Sequence, residues 1–228
     1  MIKVNFGSGP FPHEGWINVD LDTACRPDVV ADLGRGLPFA TSSVDFVLCD
    51  HAISCIGLEA TRTFLAECRR LLKSGGTMRL LTPDLKELAR LYLEQPQRLV
   101  DLWNATVGVP LATDSACEVF NLALEIQCRF QFDAPTFVEL ARKAGFDATP
   151  VEYRRSRHPE LAGLDVRPPD QSVTMGFELR PAARADGCAG WGREQAPRRS
   201  WVSRIWPWLL ISRATRRAGN SGADGRSD

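Results

Sequence analysis

Near the start of the chain Asn5 and Phe6 deliver the turn Gly7-Ser8-Gly9-Pro10, and Gly15-Trp16-Ile17-Asn18-Val19-Asp20 soon ends on a carboxylate. Glycines accept positive φ and carry no Cβ to hold a ligand away from the backbone, and a carboxylate can accept hydrogen bonds from both hydroxyls of a ribose. The pattern is that of a pocket for an adenosine-containing cofactor, with Asp20 as the ribose ligand and Asp22 as the alternative if the register shifts by two. A second pair with chemical potential is Asp50-His51. It stands just past an apolar run, at the carboxyl edge where open parallel sheets bind ligands. An imidazole there can orient a nucleophile or take its proton near neutral pH, and the neighbouring carboxylate could do the same or hold a substrate. A structural histidine fits the position equally well.

The elements that must position these groups follow from apolar periodicity. Residues 2–6, 16–19, 29–31, 44–49 and 78–82 are short apolar runs, and the spacing between the later ones predicts helices, which is the signature of a parallel sheet covered by helices. Fewer than a dozen residues separate the first two strands, so the first crossover must be abbreviated. Helices are expected over 58–73, stopped by Gly75-Gly76, then over 84–92 and 96–108, the last lying over one edge of the pocket. Asp133 caps a helix over 136–144. Strands over 149–153 and 172–179, joined by a polar loop, close the sheet as a hairpin. The expected fold is an α/β, Rossmann-like, doubly wound and mostly parallel seven-stranded sheet with a C-terminal antiparallel hairpin. The segment 109–132 gives no clear pattern.

With 228 residues the chain can bury one sizeable core. Lysine plus arginine and aspartate plus glutamate balance at 28 each, but residues 183–228 hold nine of the bases and four of the acids. That leaves 19 bases against 24 acids in the body, a net of −5 beside a tail at +5. An acidic body argues against a nucleic-acid binder, which needs a basic face to displace counterions. Residues 1–182 are read as the catalytic domain. Residues 183–228 form a basic tail rich in Arg, Gly and Trp that lacks the apolar content to order itself, apart from a peripheral membrane contact that residues 201–217 could make. Seven scattered cysteines show neither a CxxC pair nor metal-ligand spacing, so no metal is expected. The start of the chain carries no signal-peptide pattern and no run reaches membrane-span length, which predicts a cytoplasmic protein.

In order along the chain, Gly7-Ser8-Gly9-Pro10, Gly15–Asp20, Leu37-Pro38-Phe39, Asp45, His51, Leu72-Lys73-Ser74-Gly75-Gly76 and Pro83-Asp84 resemble the class I S-adenosylmethionine-dependent methyltransferases, specifically the small bacterial proteins of the methyltransferase type 11 kind. The resemblance continues more weakly to about residue 180. It implies S-adenosylmethionine as cofactor, with Asn5, Phe6, Gly7, Ser8 and Gly9 beside its aminoacyl part, Asp20 on the ribose and Asp32 with the Leu33 amide on the adenine. His51 would face both cofactor and substrate, and His51 and Asp50 are the catalytic candidates. The implied reaction is methyl transfer to a small-molecule or glycan acceptor. Where the family carries an acid and further histidines, this chain reads Ile53-Ser54-Cys55 and Cys128, so the alternative is a catalytically impaired, regulatory cofactor-binding protein of the same fold. A nicotinamide-dependent oxidoreductase is disfavoured, because Gly7-Ser8-Gly9-Pro10-Phe11-Pro12 lacks the third glycine and following helix of the dinucleotide motif. No nucleophile elbow supports a hydrolase.

Overall fold

In the computed structural model, residues 1–106, 111–125 and 129–183 are described. The readings of Cys128 and of the tail lie outside them. Seven strands build one sheet: β1 (Lys3–Phe6), β2 (Ile17–Asp20), β3 (Val29–Val30), β4 (Val44–Asp50), β5 (Leu72–Pro83), β6 (Phe146–Val151) and β7 (Thr174–Pro181). Their order is β3-β2-β1-β4-β5-β7-β6. The first five run parallel, and β7 pairs antiparallel with both β5 and β6. This is the doubly wound sheet with a closing hairpin that the apolar runs predict. The crossover from β1 to β2 contains no helix.

Six helices complete the layers: α1 (Ala52–Ile56), α2 (Leu58–Leu71), α3 (Leu85–Glu94), α4 (Pro96–Ala105), α5 (Ala116–Glu125) and α6 (Ala134–Lys143). The apolar stripe of α2, formed by Phe64, Leu65, Cys68 and Leu71, packs with Phe6, Val47, Met78, Phe137 and Phe177 in the main core. A second cluster, made by α3, α4 and α5, holds Leu88, Leu91, Leu99, Leu102, Trp103 and Val119. It stands to one side of the strand ends and forms one wall of the site described below.

Three sequence-based boundaries are corrected. Helix α2 ends at Leu71, and Gly75-Gly76 lie inside β5. A Cβ on Gly76 would come within 3.0 Å of the Asp45 carbonyl oxygen, so the glycine serves the close approach of β4 and β5. Strand β6 begins at Phe146, directly after Gly145 turns the chain at φ +84°, three residues before its expected start. The unread segment 109–132 contains α5, and its signal was a capping box: Ser115 Oγ accepts from the Glu118 amide at 3.2 Å in a Ser-x-x-Glu sequence.

Arg79 is the unexpected member of the core. It occupies the middle of β5, fully buried, and its Nε and Nη2 donate to the two carboxylate oxygens of Asp165 at 2.6 Å each. Its remaining N–H groups reach the carbonyls of Arg155 (2.8 Å) and Glu152 (3.1 Å), and Glu178 lies 3.5 Å away. Asp165 also accepts from the Arg154 amide. One guanidinium thus fastens the loop between β6 and β7, including the Arg154-Arg155 pair.

Candidate active site

Parallel pairing brings the carboxyl ends of β1, β2 and β4 side by side: Phe6 pairs with Val19 and with Cys49. Gly7-Ser8-Gly9, Asp20 and Asp50-His51 therefore share one edge of the sheet. The turn after β1 is fixed by the Gly7 and Ser8 amides, which both donate to the Val19 carbonyl (2.8 and 3.1 Å). Both glycines have positive φ, at +68° for Gly7 and +49° for Gly9. They differ in what surrounds them. A Cβ on Gly7 would lie 2.3 Å from the Ala52 Cβ, whereas nothing lies within 4 Å of one on Gly9. Gly7 is required by the packing of α1 on the turn, and Gly9 faces open space. Gly7→Ala is accordingly expected to cost about 2–3 kcal/mol of stability, from the clash plus the strained φ. Gly9→Ala should cost only about 1 kcal/mol, with its larger effect on ligand affinity; thermal melts and calorimetry on the two variants check the contrast.

Asp20 is 6% exposed, and its carboxylate is the centre of this turn. One oxygen accepts from the Gly9 amide at 2.7 Å and the other from the Asp22 amide at 2.9 Å. Each oxygen keeps a second lone pair for a ligand. Asp22 instead caps the short helical turn Thr23–Cys25 through the Ala24 amide. Asp32 accepts from the Gly34 amide and pairs with the exposed Arg35, while Leu33 is buried close to Gly7. Asn5 and Phe6 have different surroundings. The Asn5 amide group donates to Asn18 Oδ1 (3.1 Å), and the Phe6 ring sits edge-on to Phe39 and Phe64 in the core. Their contribution to a cofactor site is to hold the turn, leaving only backbone for direct contact. An open glycine turn beside a buried carboxylate with spare lone pairs fits the adenosyl and aminoacyl parts of S-adenosylmethionine.

His51 joins this cradle to a second space. Its φ is +59°, left-handed and costly for a non-glycine residue, and its carbonyl accepts from Ser54 Oγ at 3.0 Å and Cys55 Sγ at 3.5 Å. Ser54 and Cys55, which stand where the family pattern has other residues, thus support the strained turn. The ring Nε2 lies 2.9 Å from Thr174 Oγ1, which lies 3.1 Å from Ser172 Oγ, which lies 3.1 Å from the Pro168 carbonyl. A carbonyl can only accept, so Ser172 donates to it, Thr174 donates to Ser172, and His51 must donate through Nε2. The chain leaves the Nδ1 lone pair as the proton acceptor. Burial, aided by the positive charge of Arg167, holds the imidazole well below its usual pKa, so it is neutral at pH 7.

Asp50 is differently placed. Arg167 Nη1 donates to its Oδ1 at 2.7 Å, and burial raises its pKa although Arg167 opposes the rise. An aspartate held in this ion pair is an anchor for the loop carrying Arg167, which also lies over the Phe11 ring. Sequence reading gave no sign of Arg167, Ser172 or Thr174, because their relation to His51 depends on how the 152–171 loop folds back. If His51 accepts a proton, turnover should stay level from pH 8 to about 6.5 and fall only below the ordinary histidine pKa, since the folded-state value is depressed. His51→Ala should lower kcat on the order of 10²-fold and spare cofactor affinity, and Thr174→Val, which releases the tautomer, should lower it about tenfold; unchanged rate and pH profile in both would assign the pair a structural role.

Beyond His51 opens a pocket of about 580 Å³, counting space open to solvent, lined by Pro83, Asp84, Leu88, Leu99, Leu102, Trp103 and Val119 among others. Asp50 does not line it.

Sheet order, the glycine turn and the acid at the end of β2 define a class I methyltransferase fold. Residues 15–80 match the family model described as a methyltransferase domain. Among solved structures, the chain is similar to one from the complex between a Haloferax volcanii methyltransferase activator and a methyltransferase, at 15% identity over 82% of this chain and 84% of that one, with a TM-score of 0.50. It is also similar to a Thermotoga maritima S-adenosylmethionine-dependent methyltransferase, at 19% identity over 79% and 81% of the two chains, TM-score 0.49. At 15% identity the first likeness speaks for the fold. No curated protein matches the sequence. Among the described residues no helix is long and apolar enough to cross a membrane.

Proposed function

We propose that the protein transfers a methyl group from S-adenosylmethionine to a small-molecule or glycan-type acceptor in the cytoplasm. The observation that carries this reading is that the Gly7–Gly9 turn, Asp20 and His51 share one edge of the sheet, and His51 also lines the pocket beside α3, α4 and α5. Gly7, Ser8 and Gly9 would pass the backbone close to the aminoacyl part of the cofactor. Asp20 would accept from the ribose hydroxyls with its spare lone pairs, and Asp32 and the Leu33 amide would meet the adenine. When bound, the cofactor supplies an electrophilic methyl on a sulfonium. Alignment is then the enzyme's main task. His51 contributes an Nδ1 lone pair that takes the proton an O–H or N–H acceptor must lose. The strained turn, the hydroxyl relay and the Arg167–Asp50 pair keep that ring in place.

A catalytically impaired, cofactor-binding regulator is the second reading, favoured by Ser54 and Cys55. The hydrogen bonds of both to the His51 carbonyl count against it, because they maintain the candidate base. Incubation with methyl-labelled S-adenosylmethionine and small-molecule fractions of a lysate should yield a labelled product in the small-molecule pool. Label transfer to no fraction, by a protein that binds the cofactor, would favour the regulator.

A further inference from the structure

The pocket beyond His51 is specific about what it accepts. Its body is apolar: Leu88 from α3, Leu99, Leu102 and Trp103 from α4, and Val119 from α5. The polar groups on the wall are already engaged. Trp103 Nε1 donates to the Leu111 carbonyl at 2.8 Å, Thr106 Oγ1 is held between the carbonyls of Leu102 and Gln171, and Ser172 is spent in the relay to Pro168. Asp84 Oδ1 accepts from the Lys86 and Glu87 amides. The exception is Gln131. Its Nε2 donates to the Ala123 carbonyl at 2.8 Å, and its Oε1 is buried with no hydrogen-bond partner among the described residues. Rotating the amide would set oxygen against the Ala123 carbonyl, so the carbonyl end is fixed as the unpaired one.

A buried unpaired acceptor costs about 1–3 kcal/mol, which a donor on a ligand would recover. The unpaired position, Gln131 Oε1, is an acceptor, and the relay through Thr174 makes His51 Nδ1 an acceptor as well. Arg167, the cation on the wall, is neutralised by Asp50 at 2.7 Å, and Asp84 adds negative charge. An anionic group gains little here, and a sugar, with hydroxyls all round, would leave most of them unpaired against leucine and valine.

We infer that the acceptor is an apolar small molecule with an N–H or O–H donor and no anionic group, anchored by that donor to Gln131 Oε1. This rests on the methyltransferase reading for its biological meaning, but the binding claim is tested without turnover. S-adenosylhomocysteine is titrated first, alone, by calorimetry. 2-Naphthol, 2-methoxynaphthalene, 2-naphthoate and methyl glucoside are then titrated with S-adenosylhomocysteine present, and again without it. The expected result is 2-naphthol binding about tenfold tighter than its methyl ether, with naphthoate and glucoside weaker than both. Gln131→Leu should weaken 2-naphthol about tenfold, to the level of the ether. Ala123→Trp, a half-buried position on the same wall, should block both ring compounds and leave S-adenosylhomocysteine binding intact. Naphthoate or glucoside binding tighter than 2-naphthol, or naphthol affinity unchanged in both variants, overturns the inference. Failure of S-adenosylhomocysteine to bind, with the naphthol pattern as expected, overturns the cofactor reading instead.

Discussion

Arg79→Met should cost the protein about 3–5 kcal/mol, the largest effect of any single substitution in the sheet. The methionine fills much of the arginine's volume, so the loss comes from charge. Asp165 and Glu178, both buried, are left without their cation, and the carbonyls of Glu152 and Arg155 lose their donor. Urea unfolding should show the midpoint falling by about 1.5–2.5 M at an unchanged slope, for a slope near 2 kcal/mol per M. Neutralising the partners as well, in Arg79→Met with Asp165→Asn and Glu178→Gln, should recover at least half of the loss. Amides keep much of the hydrogen bonding, and no uncompensated charge remains. If the triple variant were no more stable than the single, packing rather than charge would be the cause. Because the same guanidinium fastens the loop that leads to Arg167, Arg79→Met should also loosen the Arg167–Asp50 pair beside His51.

Asp20 carries the second large effect, this time on binding. Asp20→Ala removes the acceptor of the Gly9 and Asp22 amides and the carboxylate offered to the ribose. Hydrogen bonds to a charged group contribute about 1.5–3 kcal/mol each. Losing two ribose bonds and the preorganised turn should therefore weaken S-adenosylhomocysteine by at least 10²-fold, about 2.7 kcal/mol. Asp20→Asn keeps the shape but presents an NH₂ to one of the amides, and should fall between the two. A loss of less than tenfold in Asp20→Ala would show that the carboxylate serves the turn alone.

How much of this was legible in the sequence depended on whether the controlling contacts were local. The near-continuous apolar runs at Val44–Asp50 and around Met78–Leu81 gave buried parallel strands, and the buried carboxylate of Asp20 beside the glycine turn was readable because strand, turn and acid lie within one short stretch. Helix α5 was missed although its capping box was present, since apolar residues run around most of Ala116–Glu125 and leave no clear polar face to set the helical period. Gly75-Gly76 were read as a helix stop when what they serve is an approach by a strand 30 residues earlier. The acceptor side was least legible. Thr174 lies 123 positions from His51 and Arg167 lies 117 from Asp50, so no spacing rule connects them. Arg79 did leave a trace, as a lone charge in the middle of an apolar strand, where burial demands a partner.

The central claim is that the Gly7–Gly9 turn and Asp20 hold S-adenosylmethionine with His51 between it and the acceptor pocket. Its most direct test is a calorimetric titration of the full chain with S-adenosylmethionine and S-adenosylhomocysteine, repeated on Asp20→Ala and His51→Ala. One molecule of each ligand should bind per chain, strongly weakened by Asp20→Ala and unaffected by His51→Ala. Absence of binding to the native protein at millimolar ligand, or equal binding by the Asp20 variant, would contradict it.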